Sequence, residues 1–253
     1  MEARLAVLEE GARQLGFTLS PRQLDQFQLY YDTLVDWNSR MNLTAITDYE
    51  LVQVRHFLDS LTVAAALLSD LREGKSPIEA PPPDFRVIDI GTGAGFPGVP
   101  LKILWPQVSL TLNDSIGKKT TFLQELANVL DLGKVEVVTA RAEELGQDKA
   151  HRQRYDLVTA RAVSALPVLC EYCLPLAKVG GRLLAPKKGD ISQELSEGRR
   201  AARLLGGQLA KTYPFTLPGD EEPRAVISVR KTAPTPPGYP RRVGLAKTKP
   251  LGK

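Results

Sequence analysis

The chain has 253 residues, 43% hydrophobic and 25% charged, ordinary values for a globular protein able to bury a full core. No apolar run approaches the length of a membrane span, and the charged, amphipathic N-terminus lacks the features of a secretory leader. Two cysteines are too few for a disulfide framework, which points to a reducing cytoplasm, and the formal net charge is only +4.

Taken in chain order, residues 1–83 read as a helical region closed by a linker. Leu5, Leu8, Ala12 and Leu15 recur at a helical period. Ser20 before Pro21 predicts an N-cap with proline at the first helical position, opening a helix that carries Leu24, Phe27, Leu29, Tyr31, Leu34 and Trp37. A further helix is expected over residues 48–68, with Val52, Val54, Phe57, Leu58, Leu61 and Ala65 as packing positions. The stretch 75–83 ends in three consecutive prolines, which stop any helix and mark a boundary.

Beyond the linker, residues 84–232 alternate. Strands are predicted near 85–90, 108–113, 135–138, 155–160, 181–185, 209–215 and 224–230, and helices near 97–104, 117–131, 165–178 and 190–206. That alternation implies a mostly parallel sheet covered on both faces. The last two strand runs are joined by Leu217-Pro218-Gly219-Asp220 and read as a terminal antiparallel hairpin. The fold class expected is α/β, a Rossmann-like, seven-stranded sheet of the class I methyltransferase arrangement.

The segment DIGTGAGFPG (residues 89–98) follows the first strand directly. Gly91, Gly93 and Gly95 can take positive φ and let a ligand approach the backbone. The carboxyl ends of strands are where open α/β sheets bind nucleotides. Gly93 to Gly98 fits the dinucleotide fingerprint. Asp89-x-Gly91-x-Gly93 fits motif I of enzymes that use S-adenosylmethionine (AdoMet). Asp114 ends the next apolar run, where a carboxylate suits ribose hydroxyls in either cofactor class. Asp89 fits only the AdoMet pattern and favours it. Glu143 and Glu144 follow the third strand, where Ala142 and Glu143 would read an adenine edge; the alternative is that these carboxylates favour a helix N-terminus. Arg161 stands at the carboxyl end of the fourth strand, placed for a cofactor carboxylate, a substrate phosphate or a surface ion pair.

Cys170 and Cys173 fall inside a predicted helix and read as packing residues. His56 and His151 have no metal-ligand spacing, and no metal site is expected; His56 is expected to cap or pack on the helical region. Eight of the 33 basic residues and none of the 29 acidic ones lie in residues 223–253, together with six prolines. Residues 233–253 therefore read as an extended basic arm suited to a phosphate backbone, or as a solvated tail.

These pieces coincide in one family. The chain resembles the small-subunit (16S) ribosomal RNA methyltransferase G family, also called glucose-inhibited division protein B. The resemblance rests on Trp37-Asn38, MNLTAI (41–46), RHFLDSL (55–61), the glycine loop, Asp114-Ser115 with Gly117-Lys118-Lys119, Arg141-Ala142-Glu143, Tyr155-Asp156-Leu157-Val158 and Ala160-Arg161-Ala162. Gly180-Gly181, Tyr239-Pro240-Arg241 and Lys249-Pro250-Leu251 complete it. It implies methyl transfer from AdoMet to N7 of one guanosine in 16S ribosomal RNA. Gly91 and Phe96 would bind the cofactor, Asp114, Ser115 and Ile116 would lie on its ribose side, and Ala142 and Glu143 would hold the adenine. Arg161 would lie at the cofactor or substrate side. Asn113 departs from the apolar residue expected before the aspartate, and Lys187-Lys188 is a doubled lysine before Gly189.

Guanine N7 carries a lone pair and no proton, so its methylation needs no general base. No single catalytic residue is expected, with proximity and orientation supplying about 7–11 kcal/mol. The helical region and basic tail are the expected RNA platform, with Arg40, Arg55, Lys118, Lys119, Arg241 and Arg242 as phosphate contacts to ribosomal RNA or an assembling small subunit. No exposed heptad suggests assembly, so a monomer is expected. A small-molecule methyltransferase, an NAD enzyme and a non-enzymatic RNA-binding module remain the alternatives.

Overall fold

In the computed structural model, which describes residues 5–72 and 78–252, seven strands form the sheet. They are β1 (Arg86–Ile90), β2 (Ser109–Asp114), β3 (Val135–Thr139), β4 (Tyr155–Thr159), β5 (Ala177–Lys188), β6 (Gly207–Leu217) and β7 (Asp220–Lys231). Residues 75–77 of the linker stretch, and Lys253 of the basic tail, lie outside the described residues. The sheet order is β3-β2-β1-β4-β5-β7-β6. β1 to β5 are parallel, and β7 runs antiparallel to both β5 and β6. The class I methyltransferase arrangement is therefore present, including its closing hairpin.

Successive strand residues point to opposite faces, and this divides the core in two. Val87, Leu157 and Leu184 face one cluster; their neighbours Ile88, Val158 and Leu183 face the other. The first face is covered by α1 (Ala6–Gln14), α2 (Pro21–Asn38), α5 (Gly98–Leu104), α6 (Gly117–Val129) and one long helix, Tyr49–Arg72. That helix comprises α3 (Tyr49–Val52), a π-helical segment (Gln53–Leu58) and α4 (Asp59–Arg72). The other face carries α7 (Ala142–Gln147), α8 (Leu166–Cys173), α9 (Ser192–Leu204) and α10 (Leu245–Thr248).

The N-terminal helices share their core with the sheet: Leu8, Phe27 and Phe57 belong to the same cluster as Val87 and Leu112. The three prolines end a stretch of sequence without separating two cores. Phe27 and Phe57 are wholly buried, each contributing about 1.5–3 kcal/mol by leaving water. The helix expected over 48–68 runs from Tyr49 to Arg72 and is, against the expectation that no apolar run approaches a membrane span, the one helix among the described residues long and apolar enough to cross a membrane by length and composition. Most of it is buried inside the fold, which accounts for its apolarity.

Local signals hold where they rest on caps and turns. Ser20 Oγ accepts from Gln23 N–H, Gln23 returns a bond to Ser20 N–H at 2.8 Å, and Pro21 opens α2. Gly219, at φ 66°, makes the hairpin turn. Two expectations change. The helix foreseen to 178 ends at Cys173, because Pro175 has no N–H with which to continue the helical hydrogen bonds, and β5 begins at Ala177. The basic tail does not extend into solvent. It folds back over α7 and α8, and Arg152 donates to the carbonyls of Thr235, Pro236 and Tyr239.

Candidate functional site

The sheet's switch point lies between β1 and β4, and the glycine loop occupies it. Asp89 organises that loop from behind. Its Oδ2 accepts from Thr92 Oγ1 at 2.6 Å and from Gly98 N–H at 2.8 Å, while Oδ1 is buried without a partner. Complete burial pushes the carboxyl up to about 7, against the lowering effect of those two bonds. Asp89 lines neither of the two clefts flanking the loop, and its bonds to Thr92 and Gly98 support the loop.

The three glycines separate in the same way. Gly91 (φ 63°) lines both clefts and Gly93 (φ 61°) lines the larger, with open space where its Cβ would stand. Gly95 (φ 99°) lines neither; a Cβ there would stand 2.6 Å from the Tyr30 hydroxyl, which donates to Ala94 O. Gly95 thus serves packing beneath the loop.

One cleft, of about 280 Å³, is lined by Gly91, Asn113, Asp114, Ser115, Ala142 and Glu143. Most of the residues expected around ribose and adenine therefore meet. Asp114 accepts from Gly93 N–H at 3.1 Å and Ile116 N–H at 3.0 Å, with Lys119 Nζ 3.7 Å away. Asn113 donates to Val138 O and Ala140 O, closing the turn after β3; its amide has a structural use that an apolar residue would lack. Ile116 is half exposed and lines neither cleft, so only its N–H, held by Asp114, belongs to the arrangement. The same cleft is also lined by Val243, Gly244 and Lys247 from the folded-back tail, which the composition of that tail did not foretell.

The second cleft, about 500 Å³, meets the first at Gly91. Leu43, Thr44 and Ile46, Arg55 and His56, Phe96, Lys119, Arg161, Lys187 and Lys188 surround it. Phe96 is stacked between Tyr30 and His56 at 5.1 and 4.6 Å, and Arg161 lies over its ring at 5.0 Å. His56 Nε2 lies 2.9 Å from Thr44 Oγ1, and Arg161 Nη2 lies 3.3 Å from His56 Nδ1. Burial, then the Arg161 charge, holds His56 down at about 3, so it is neutral at physiological pH.

Charges below this cleft form a chain. Asp59 pairs with Arg161 at 2.8 Å and Arg224 at 2.7 Å; Arg224 also pairs with Asp220, whose Oδ2 lies 3.2 Å from Arg55 Nε. It joins α4, β4, the π segment and the terminal hairpin. Asp59, Asp220 and Arg224 were not singled out in the sequence. Asp59 follows His56 by one helical turn, the only local signal for it.

The basic candidates divide. Lys118 and Arg242 are exposed, and Lys119 lines the larger cleft. Arg40 pairs with Asp36 and lies over Trp37. Arg241 is spent internally: Nε and Nη2 donate to Glu171 at 2.8 and 2.6 Å, and Glu171 is fully buried. Lys187 donates to Ser164 O at 2.8 Å and pairs with Glu194, while Lys188 pairs with Glu222. Cys170 and Cys173 are buried free thiols, and burial pushes Cys170 up to about 12.

A glycine loop at the switch point, an acidic residue at the end of β2 and a terminal hairpin define a class I methyltransferase fold. A solved structure from Galdieria sulphuraria, a putative sarcosine dimethylglycine methyltransferase, has the same fold, with TM-score 0.51 and 14% identity over 68% of this chain and 85% of that one. The profile of the family described as rRNA small subunit methyltransferase G matches residues 23–218. The Ribosomal RNA small subunit methyltransferase G of Roseiflexus sp. (strain RS-1) is 49% identical, covering 95% of this chain and 97% of that protein. That of Exiguobacterium sp. (strain ATCC BAA-1283 / AT1b) is 46% identical over 96% and 97%. The chain belongs to the rRNA small subunit methyltransferase G family.

Proposed function

We propose that the protein transfers a methyl group from AdoMet to N7 of one guanosine in 16S ribosomal RNA, acting in the cytoplasm on the RNA or an assembling small subunit. The observation that carries this reading is the junction at Gly91 of a cleft bearing Asp114 with a larger, cation-lined cleft. Their volumes suit small-molecule ligands.

The residues fit the cofactor. Open space at Gly93 admits a ligand against the backbone, and Asp114, Ser115, Ala142 and Glu143 line one continuous wall beside it. Gly91, Gly93 and Phe96 would hold its methionine end, and Asp114 to Glu143 its adenosine end. When bound, AdoMet supplies an electrophilic methyl on a positively charged sulfur.

The larger cleft suits the target nucleotide. Lys119 and Lys188 stand at it to hold phosphate, and Leu43 and Ile46 offer apolar surface for a base removed from its stack. N7 presents its lone pair without losing a proton, so neutral His56 is not needed as a base. His56, Phe96 and Arg161 shape the cleft, and the Asp59 ion pairs hold Arg161 in place. Arg55, Lys118 and Arg242 extend the basic surface toward RNA.

The test uses radiolabelled AdoMet and small ribosomal subunits from cells lacking the endogenous enzyme, with label mapped by borohydride–aniline cleavage. Cleavage at a single 16S guanosine is the expected result. Label elsewhere, or on a small molecule alone, would refute this reading.

A further inference from the structure

The basic tail is bound to the same wall that forms the smaller cleft. Arg241 clasps Glu171 through Nε, Nη2 and its own N–H, the last at 2.9 Å. Three residues on, Gly244 N–H donates to Glu143 Oε1 at 3.0 Å. Gln147 holds Pro240 O at 2.7 Å from the other side. Between and beyond these ties, Val243 and Lys247 are left facing the cleft; Val243 is 51% exposed, an uncovered apolar side chain opposite the Asp114 wall.

We propose that this strap, through Val243 and Gly244, is the outer wall of the adenosine subsite, and that the Arg241–Glu171 clasp is a positioning device for cofactor binding. The proposal rests on the AdoMet reading above. It gives the tail a task other than the phosphate contact its composition suggests. A purine in the cleft would cover Val243 and lie against strap backbone as well as against the Asp114 wall. Glu143 follows from the same geometry: its Oε1 accepts from Gly244 N–H, so its side chain anchors the strap as well as lining the cleft. Arg241 cannot leave for RNA without stranding Glu171, a fully buried carboxylate.

The experiment is calorimetric titration of the full chain with S-adenosylhomocysteine and, separately, with adenosine, which carries only the end of the cofactor assigned to this cleft. Val243→Ser, at a half-exposed position, should weaken both by about three- to tenfold, since an apolar contact is lost. Its melting temperature should stay that of the parent. Glu171→Gln should raise the KM for AdoMet while kcat at saturating AdoMet is retained, a split that a general loss of structure would not produce. Parental affinities for Val243→Ser would overturn the proposal. A parent protein that binds neither S-adenosylhomocysteine nor AdoMet would overturn the cofactor reading, and the proposal with it.

Discussion

Arg161 Nη1 lies 2.8 Å from Asp59 Oδ2, joining the end of β4 to the start of α4 and fixing a cation at the rim of the larger cleft. Asp59 Oδ1 holds Arg224 at 2.7 Å, and both arginines are largely buried. Removing a shared partner leaves two buried charges uncompensated. Asp59→Ala should lower stability by about 3–5 kcal/mol, read from urea unfolding with an unchanged slope. A loss below about 1 kcal/mol would mean that water compensates both arginines.

Asp89 makes stability depend on pH. Its folded value is raised from 3.8 to about 7, so between these values the folded state holds more protons than the unfolded one. Its contribution is full below about 4 and is lost as pH rises through 7. His56 acts in the opposite sense: lowered from 6.5 to about 3, it costs stability as pH falls below 6.5. The Asp89 effect is therefore read most cleanly between pH 6.5 and 8. Asp89→Asn, able to accept the same bonds from Thr92 and Gly98, should remove the fall in melting temperature across that interval. A parallel fall in parent and variant would assign it to another group.

Two loop glycines should respond differently to alanine. Gly95→Ala places a Cβ 2.6 Å from the Tyr30 hydroxyl at φ 99° and should cost about 2 kcal/mol or more. Gly93→Ala has open space around its Cβ, so stability should fall by only about 1 kcal/mol, the left-handed backbone being the one cost. That Cβ would project into the larger cleft, so AdoMet affinity should fall well beyond the stability change. Thermal unfolding and ligand titration of the two variants separate these effects.

RNA contacts should follow from which cations are exposed or line the larger cleft. Neutralising Lys118, Lys119 and Lys188 should flatten the salt dependence of RNA binding by about 2 in the log–log slope. Arg241→Ala should leave that slope unchanged and destabilise by about 3–5 kcal/mol, because Glu171 is left buried and unpaired. A lower slope for Arg241→Ala with unchanged stability would return that residue to the RNA surface.

Much of this was open to reading in the sequence because it depends on short-range rules. The alternation of strand and helix, the Ser20-Pro21 cap, the Gly219 turn and the glycine loop after β1 each depend on neighbouring residues. Asp114 and Arg161 could be singled out because strand ends in this topology converge on one edge, whereas Phe96 was marked only by the family resemblance. What the sequence could not determine depends on pairings between residues far apart in the chain. Asp89 and Gly95 proved to support the loop from beneath, which only the positions of Gly98 and Tyr30 decide. Arg241 reads as a free cation until Glu171 is seen buried beside it. The tail's composition, basic and rich in proline, describes a chain that reaches outward; packing against α7 and α8 turns it back onto the cleft. Periodicity and turn chemistry thus determined the architecture and the location of the site, while tertiary burial decided which charges face solvent and which are consumed in holding the site together.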